Sequence, residues 1–463
     1  MGTLLGSMSI ALSGLQADQT AVQVTSNNIA NANTPGYARQ IPIFAESDPK
    51  SVGGIMLGNG VSVKTVQSVR DNVLNLQLNS ETQQQSSLST YVNGMQQVEA
   101  VFNETAGAGL SSAINGFFNS IQALSANPSD STLRQVVVNA GGTLAQGFNS
   151  ASTQLQQVQS GVNLDVTQTV SQVNSIASQI AALNHQIASL QGVGQATGVL
   201  VGQRDQALSQ LSELVGTATV SSDNGTVTVT VAGGSPLVVG DQASQLTSQT
   251  DPATGMSQIL SQGTNITAKI TGGSLGGDIQ VRDQGIPAIQ EKLDNLAASI
   301  ATSVNAANAQ GYDLNGAQGG NFFTPFTSST PGSNQGAAAS LSMSITDPAK
   351  VAASSDGSVG SSGNLPNFTK LQTQNTINGQ TLQSYYANFV AGIGSSVSNA
   401  SASLEATGLI VKQLQTQQAS VSGVSLDEEA ANLVKYQQAY EAAAQVISVI
   451  DDLTNFIITK MGA

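Results

Sequence analysis

The stretch SNNIANANTPGYARQ (residues 26–40) decides how the sequence around it is read. Asn is a weak helix former and Pro-Gly a strong stop. Thr34, Pro35 and Gly36 therefore end the preceding element and turn the chain, with Tyr37 as an anchor beyond the turn. Residues 4–33 carry a helical pattern in which Leu5, Met8, Leu12, Leu15, Val22 and Ile29 keep a seven-residue stripe. Gln19 and Ser26 interrupt it, and the other faces are Ser, Gln, Thr and Asn, nearly uncharged.

Residues 426–460 predict a second long helix at the opposite end. Ser425 and Glu428 have the S-x-x-E spacing of a capping box. Asp427, Glu428 and Glu429 complement the positive end of the helix dipole, and Lys460 the negative end. The stripe here is Leu433, Tyr436, Tyr440, Ala443, Ile447, Ile450 and Ile457. A single amphipathic helix is most often a core element of its own chain. Uncharged polar faces at both termini favour another use, because other subunits can cover them without desolvating charge. The two stripes are thus the candidate assembly interface. Asn28 and Asn31 join it on the expectation that their amides bond to a neighbouring subunit and set register. The plainer alternative is that these asparagines only cap the helix.

Between the termini, 58–69 reads as a hairpin strand, and 70–103, 110–126, 129–160, 163–191 and 202–215 as helices. The period then changes. Residues 217–240 alternate and are β-branched, with Asn224-Gly225 as a hairpin turn. Strand-like pieces continue to about 281, GGSLGG (272–277) reads as a turn, and helical pattern returns at 285–309 and 381–422. The Gly-, Ser- and Asn-rich 311–380 predicts loops draped over helices. The expected fold is mainly α with a β-rich insertion, multidomain and nested. Residues 1–57 plus 423–463 form a terminal coiled-coil-like domain, 58–215 plus 285–422 a helical middle domain, and 216–284 an outer β lobe.

Of the 463 residues only 9% are charged, against about 25% in an average globular protein. The net charge is −14 with 14 Lys+Arg, which disfavours nucleic acid and anionic membrane surfaces as partners. Cysteine is absent, which removes disulfides, thiolate metal sites and cysteine nucleophiles, and suits a protein that works outside the cell. The first cation is Arg39, so no basic signal-peptide start is present, and no run approaches the ~18 consecutive apolar residues of a membrane span. Export then requires a route without a cleaved signal.

No catalytic constellation is legible. His185 is the only histidine and sits in a helical pattern, the usual setting of a structural or surface residue. GGSLGG lacks the Lys-Ser/Thr of a phosphate loop. The recurring RDQ at 204–206 and 282–284 reads as exposed charge pairs, or as paired contacts at the two ends of the β lobe. No enzyme activity, cofactor or metal is expected.

The run SGLQADQTAVQVTSNNIANANTPGYARQ (13–40) resembles the N-terminal signature of the flagellar rod, hook and hook-associated proteins. SGVSLDEEAANLVKYQQAYEAAAQVISVIDDL (422–453) is similar to the hook-associated branch of that superfamily, as are the sequences around both ends of the β lobe and GGNFF (319–323). The resemblance implies a structural adaptor, self-assembling into a ring-like or helical junction between hook and filament and required for filament assembly. It further implies neighbouring hook-side and filament-side axial proteins as partners. An export chaperone would bind the C-terminal region, and secretion would follow the flagellar type III route without a cleaved signal peptide. In such a subunit the terminal helices line the axial channel, are unordered before assembly, and the β lobe points outward. The alternatives are a rod or hook subunit, or an exported adhesin acting through the lobe.

Overall fold

The computed structural model describes residues 2–34, 36–52, 55–104, 109–193, 195–328 and 332–461. Helix α1 (Gly2–Ala30) stops at the asparagine-rich stretch, where the N–H groups of Asn31, Ala32 and Thr34 close a last set of tight turns. Gly36 follows with φ 75°, a left-handed conformation that costs glycine nothing. The exit thus falls where the sequence puts it; Pro35 itself lies outside the described residues. The chain then enters a ribbon of β1 (Gln40–Glu46), β2 (Lys50–Val52), β3 (Ile55–Leu57) and β4 (Val61–Ser68), with β1 paired to β4 and β2 to β3. Only its second half was legible as a strand. Pro42 lies inside β1, and a two-stranded ribbon tolerates it because each strand has a free edge.

Asp71 caps α2 (Asn72–Val101), its carboxylate accepting from the N–H groups of Val73 and Leu74. After α3 (Leu110–Leu124), Asp130 caps α4 (Ser131–Gly192) in the same way. The sequence predicts two helices where α4 runs for 62 residues without a break. Gly161 inside it costs about 1 kcal/mol relative to Ala. Burial on either side outweighs that: Leu155 and Val162 enter one core, and Val166 and Val170 another.

Helix α5 (Gly198–Leu214) leads into β5 (Thr217–Ser221), β6 (Val227–Val231), β7 (Ser235–Val239) and β8 (Gln242–Ala243), an antiparallel sheet in sequence order. A second sheet holds β9 (Leu246–Thr250), β10 (Ser257–Ser261) and β11 (Thr264–Asn265). The Asn224-Gly225 turn is where expected, with Gly225 at φ 78°. Strand-like structure ends at Asn265, short of the expected 281. GGSLGG is no turn but part of helix α6 (Gly273–Gln280), which continues through a π turn at Val281–Gly285 into α7 (Ile286–Ala309). Its glycines permit contact: a Cβ on Gly277 would lie 2.4 Å from the Ser87 carbonyl oxygen of α2.

The segment after α7 has little regular structure beyond α8 (Ala337–Ser340) and α9 (Leu365–Thr369), as expected. It is not merely draped, however, because Phe322, Phe323, Leu365 and Phe368 are fully buried in the helical core. Thr381 caps α10 (Leu382–Ser422), and α11 (Leu426–Met461) closes the chain. The architecture is the expected one, mainly α with a β insertion. One core joins the N-terminal half of α4 to α3, α7, α10 and the 322–377 segment. The other joins the C-terminal half of α4 to α5, α6 and the strands β6, β7, β9 and β10. Helix α4 passes through both. Helices α1 and α11 contribute to neither.

Candidate assembly interface

Helices α1 and α11 pack on each other as an antiparallel pair. Asn28 lies against Glu429, and Asp18 acts electrostatically on Tyr436, so one helix ascends as the other descends. On α1 the residues that face the seam are small: Ala11, Ala17, Ala21, Val24, Thr25 and Asn28 are all buried. Small side chains let helix axes approach closely. The seven-residue stripe read from the sequence is less buried than these small residues. Leu5, Met8 and Leu12 are exposed, Leu5 to 64%, while Leu15, Val22 and Ile29 are half-buried.

The stripe on α11 does face its partner. Ile450 is buried, Leu433, Tyr436, Ala443, Ile447 and Ile457 are half-buried, and Tyr440 lies at the margin. A second apolar set on α11 stays uncovered: Val434, Val446, Val449, Leu453, Phe456 and Ile458. The region Leu382–Lys460, spanning α10 and α11, includes a segment apolar and long enough to cross a membrane by length and composition, almost none of it buried. The search for consecutive apolar residues overlooked it, since Asp451 and Asp452 break the run in α11. Exposed apolar surface on this scale marks a face that something else covers.

The opposite end of the pair is tied down by polar contacts. Asn28 is 1% exposed and its amide is fully used. Its Nδ2 donates to the Gln40 carbonyl at 2.8 Å and to Glu429 Oε2 at 3.0 Å. Its Oδ1 accepts from the Tyr37 hydroxyl at 2.8 Å and the Gln40 N–H at 2.9 Å. Burial, then the Glu429 charge, push the Tyr37 phenol above its ordinary range. Asn31 bonds to Asn27 and accepts from Thr34, closing the helix end. Both asparagines bond within their own chain in the subunit, and the amide of Asn28 is fully used there. A donor and an acceptor on one short side chain suit a crowded turn where backbone groups of both kinds need partners.

Arg39 adds the remaining links. Its N–H donates to the Ser422 carbonyl, its own carbonyl accepts from Val69, and its guanidinium meets Glu428 at 2.7 Å. The capping box is thus half made. Ser425 Oγ accepts from the Glu428 N–H at 3.4 Å, while the Glu428 carboxylate turns to Arg39.

Three asparagines on α4, spaced about three helical turns apart, hold the β region and were not singled out by sequence reading. Asn174 both donates to and accepts from the backbone of Leu246, and Asn184 does the same with Val227. Asn163 accepts from the Ser257 N–H. Each amide thus extends a strand as a neighbouring peptide would. The two RDQ arginines complete these contacts. Arg204 bonds to Asn184 and the Gly225 carbonyl. Arg282, 2% exposed, donates to Asn163, the Ser257 carbonyl and Asp283. The reading of exposed charge pairs is overturned; both are buried connectors at the two ends of the β region.

His185 is exposed beside Asp241 at 3.3 Å. Among the described residues no group of His, Asp and Glu is arranged to hold a metal ion.

An N-terminal helix with a single charged residue, paired antiparallel with the C-terminal helix beside a helical body bearing a β insertion, is the plan of a flagellar axial subunit. The sequence comparisons cover these parts separately. The flagella basal body rod protein family matches residues 8–37, and the C-terminal family of flagellar basal body rod FlgEFG proteins matches 415–459. The helical domain of flagellar hook-associated protein FlgK matches 95–323. Flagellar hook-associated protein 1 of Bacillus subtilis is 32% identical over 99% of this chain and 99% of its own. That of Salmonella typhimurium is 30% identical over 97% and 98%. The solved flagellar hook junction protein FlgK of Burkholderia pseudomallei shares the fold at a TM-score of 0.67 and 24% identity, over 75% of this chain and all of that one. The chain belongs to the flagellar hook-associated protein 1 family.

Proposed function

We propose that this chain is a structural adaptor polymerising at the junction between hook and filament of the bacterial flagellum, with the α1–α11 pair as its assembling element. The observation that carries this reading is the mismatch within the pair. Its own seam uses alanines, while Leu5, Met8, Leu12, Val449, Leu453 and Phe456 are left to water. Polymerisation buries them against like pairs and against axial proteins on the hook and filament sides. Leu15, Val22, Ile29, Leu433, Tyr440, Ile447 and Ile457, half covered in the subunit, complete the contact. The three-part division at 1–57 plus 423–463, 58–215 plus 285–422, and 216–284 belongs to the same reading. So do export by the flagellar type III route and chaperone binding at the C-terminal region, for which the exposed apolar face of α11 is a suitable surface.

An adhesin acting through the lobe is less well supported, because residues 216–284 contain no aromatic side chain on which a sugar or other ring could stack. Deleting 1–40 or 426–463 should abolish incorporation into flagella while the middle of the chain stays folded. A truncated subunit that still built functional flagella would overturn the proposal.

A further inference from the structure

We propose that Asn28 is the positioning residue that sets the register of the terminal pair and its attachment to the body, a reading that rests on the pair being the assembling element. Four bonds from one buried amide join separate parts: helix α1, the exit turn at Tyr37, the start of β1 at Gln40, and the first turn of α11 at Glu429. Glu429 is itself 2% exposed, so neither partner can exchange the bond for water without the pair opening. The alanine seam above this point offers no comparable specificity, since similar small residues recur along α1 and a slip of one turn replaces like with like. Among the described residues the Asn28–Glu429 bond is a buried polar link between the two helices of the pair. It lies where two chain segments cross between pair and body, beside the Arg39 N–H to Ser422 bond.

The chemistry of the lock makes a sharp prediction. Asn28→Asp keeps the acceptor for Tyr37 and the Gln40 N–H. It replaces the donor with an oxygen that faces both the Gln40 carbonyl and the Glu429 carboxylate. Two buried carboxylates in contact cannot both ionise readily, so the pair takes up a shared proton as pH falls. The defect of Asn28→Asp is therefore pH-dependent. Glu429→Gln in that background removes one charge and supplies an amide donor to the introduced carboxylate.

The test is addition of purified full-length subunit to hook-terminated flagellar bases isolated from cells lacking the chain, at pH 8, 6.5 and 5. Hydrogen exchange across 110–192 serves as the folding control. Asn28→Asp should incorporate at least about tenfold less than wild type at pH 8 and recover progressively towards pH 5. Adding Glu429→Gln should restore several-fold at pH 8. Asn28→Leu should fail equally at every pH. From the other side of the bond, Glu429→Ala should lose more than Glu429→Gln, which keeps an acceptor. Wild-type incorporation by Asn28→Asp, or a loss that neither pH nor Glu429→Gln relieves, overturns the lock. The combined change Leu5→Ser, Met8→Ser and Leu12→Ser separates the two proposals. If it abolishes incorporation while Asn28→Asp adds normally, the assembly reading stands and the lock falls. Should it add normally while the Asn28 series behaves as stated, the lock stands and the role of the exposed stripe falls.

Discussion

In the helical body, Phe117, Phe118, Phe322 and Phe323 are fully buried and meet in edge-to-face and tilted pairs with ring centroids 5.1–5.9 Å apart. In the terminal pair the best-buried residues of α1 are Ala21, Asn28, Thr25 and Ala17, all small, and its large apolar side chains are half-buried or exposed. An aromatic core residue removes about 150–250 Å² from water; an alanine removes far less. The body therefore carries its stability within one chain, whereas the pair leaves large apolar side chains exposed that the proposed assembly would cover. A helix can thus look equally amphipathic in both settings and differ entirely in whether its own subunit covers the apolar face.

Substitutions that sharpen or break this contrast can be ranked by effect. The largest falls in the body. Phe117→Ala should cost about 3–5 kcal/mol and lower the main calorimetric transition, without changing hydrogen exchange in 2–30. A body transition that did not move would remove the basis of the comparison. Arg282→Ala comes next, at about 3 kcal/mol, because it strips partners from Asn163, the Ser257 carbonyl and Asp283. Exchange should rise across 246–265 while 110–124 stays protected; uniform loss would show that the β region and helical core unfold as one unit. Ala21→Leu should overpack the seam by about 1–3 kcal/mol, read as loss of protection in 2–30 and 426–461 with the body transition unchanged.

A smaller effect is tied to pH. Burial, then the nearby Asp165 charge, push the Asp278 carboxyl up to about 7, with Arg282 opposing. The folded chain holds this proton where the unfolded chain has released it, so stability falls as pH rises from about 4 towards 7. Asp278→Asn should raise the melting temperature by a few degrees at pH 8 and leave it unchanged at pH 3. The smallest effect in the free subunit is Leu12→Ser, within about 0.5 kcal/mol, because Leu12 is 47% exposed. A large destabilisation there would show that the exposed stripe is covered within the subunit after all.

Much of the fold could be read from local signals. Asp71, Asp130 and Thr381 sit at helix starts and bond the first free N–H groups. Asn224-Gly225 turns the hairpin, and Gly36 takes the left-handed conformation at the chain exit. The candidate site was legible only in outline. Asn28 was noticed, but its bond to Glu429 was not, because that partner lies 401 residues away. Asn163, Asn174 and Asn184 resemble ordinary polar positions on a helix until strands are placed beside them.

The sequence alone determined many helix starts and stops, where the β region begins, and that the termini are amphipathic helices with a built exit after α1. These follow from capping, turn chemistry and period, which act within a few residues. Tertiary structure decided that α4 is continuous, that Gly277 belongs to a helix crossing, that the RDQ arginines are buried, and that the buried positions of α1 are small. Those outcomes depend on which surfaces meet, and burial of distant groups can override a local penalty of about 1 kcal/mol, as it does at Gly161.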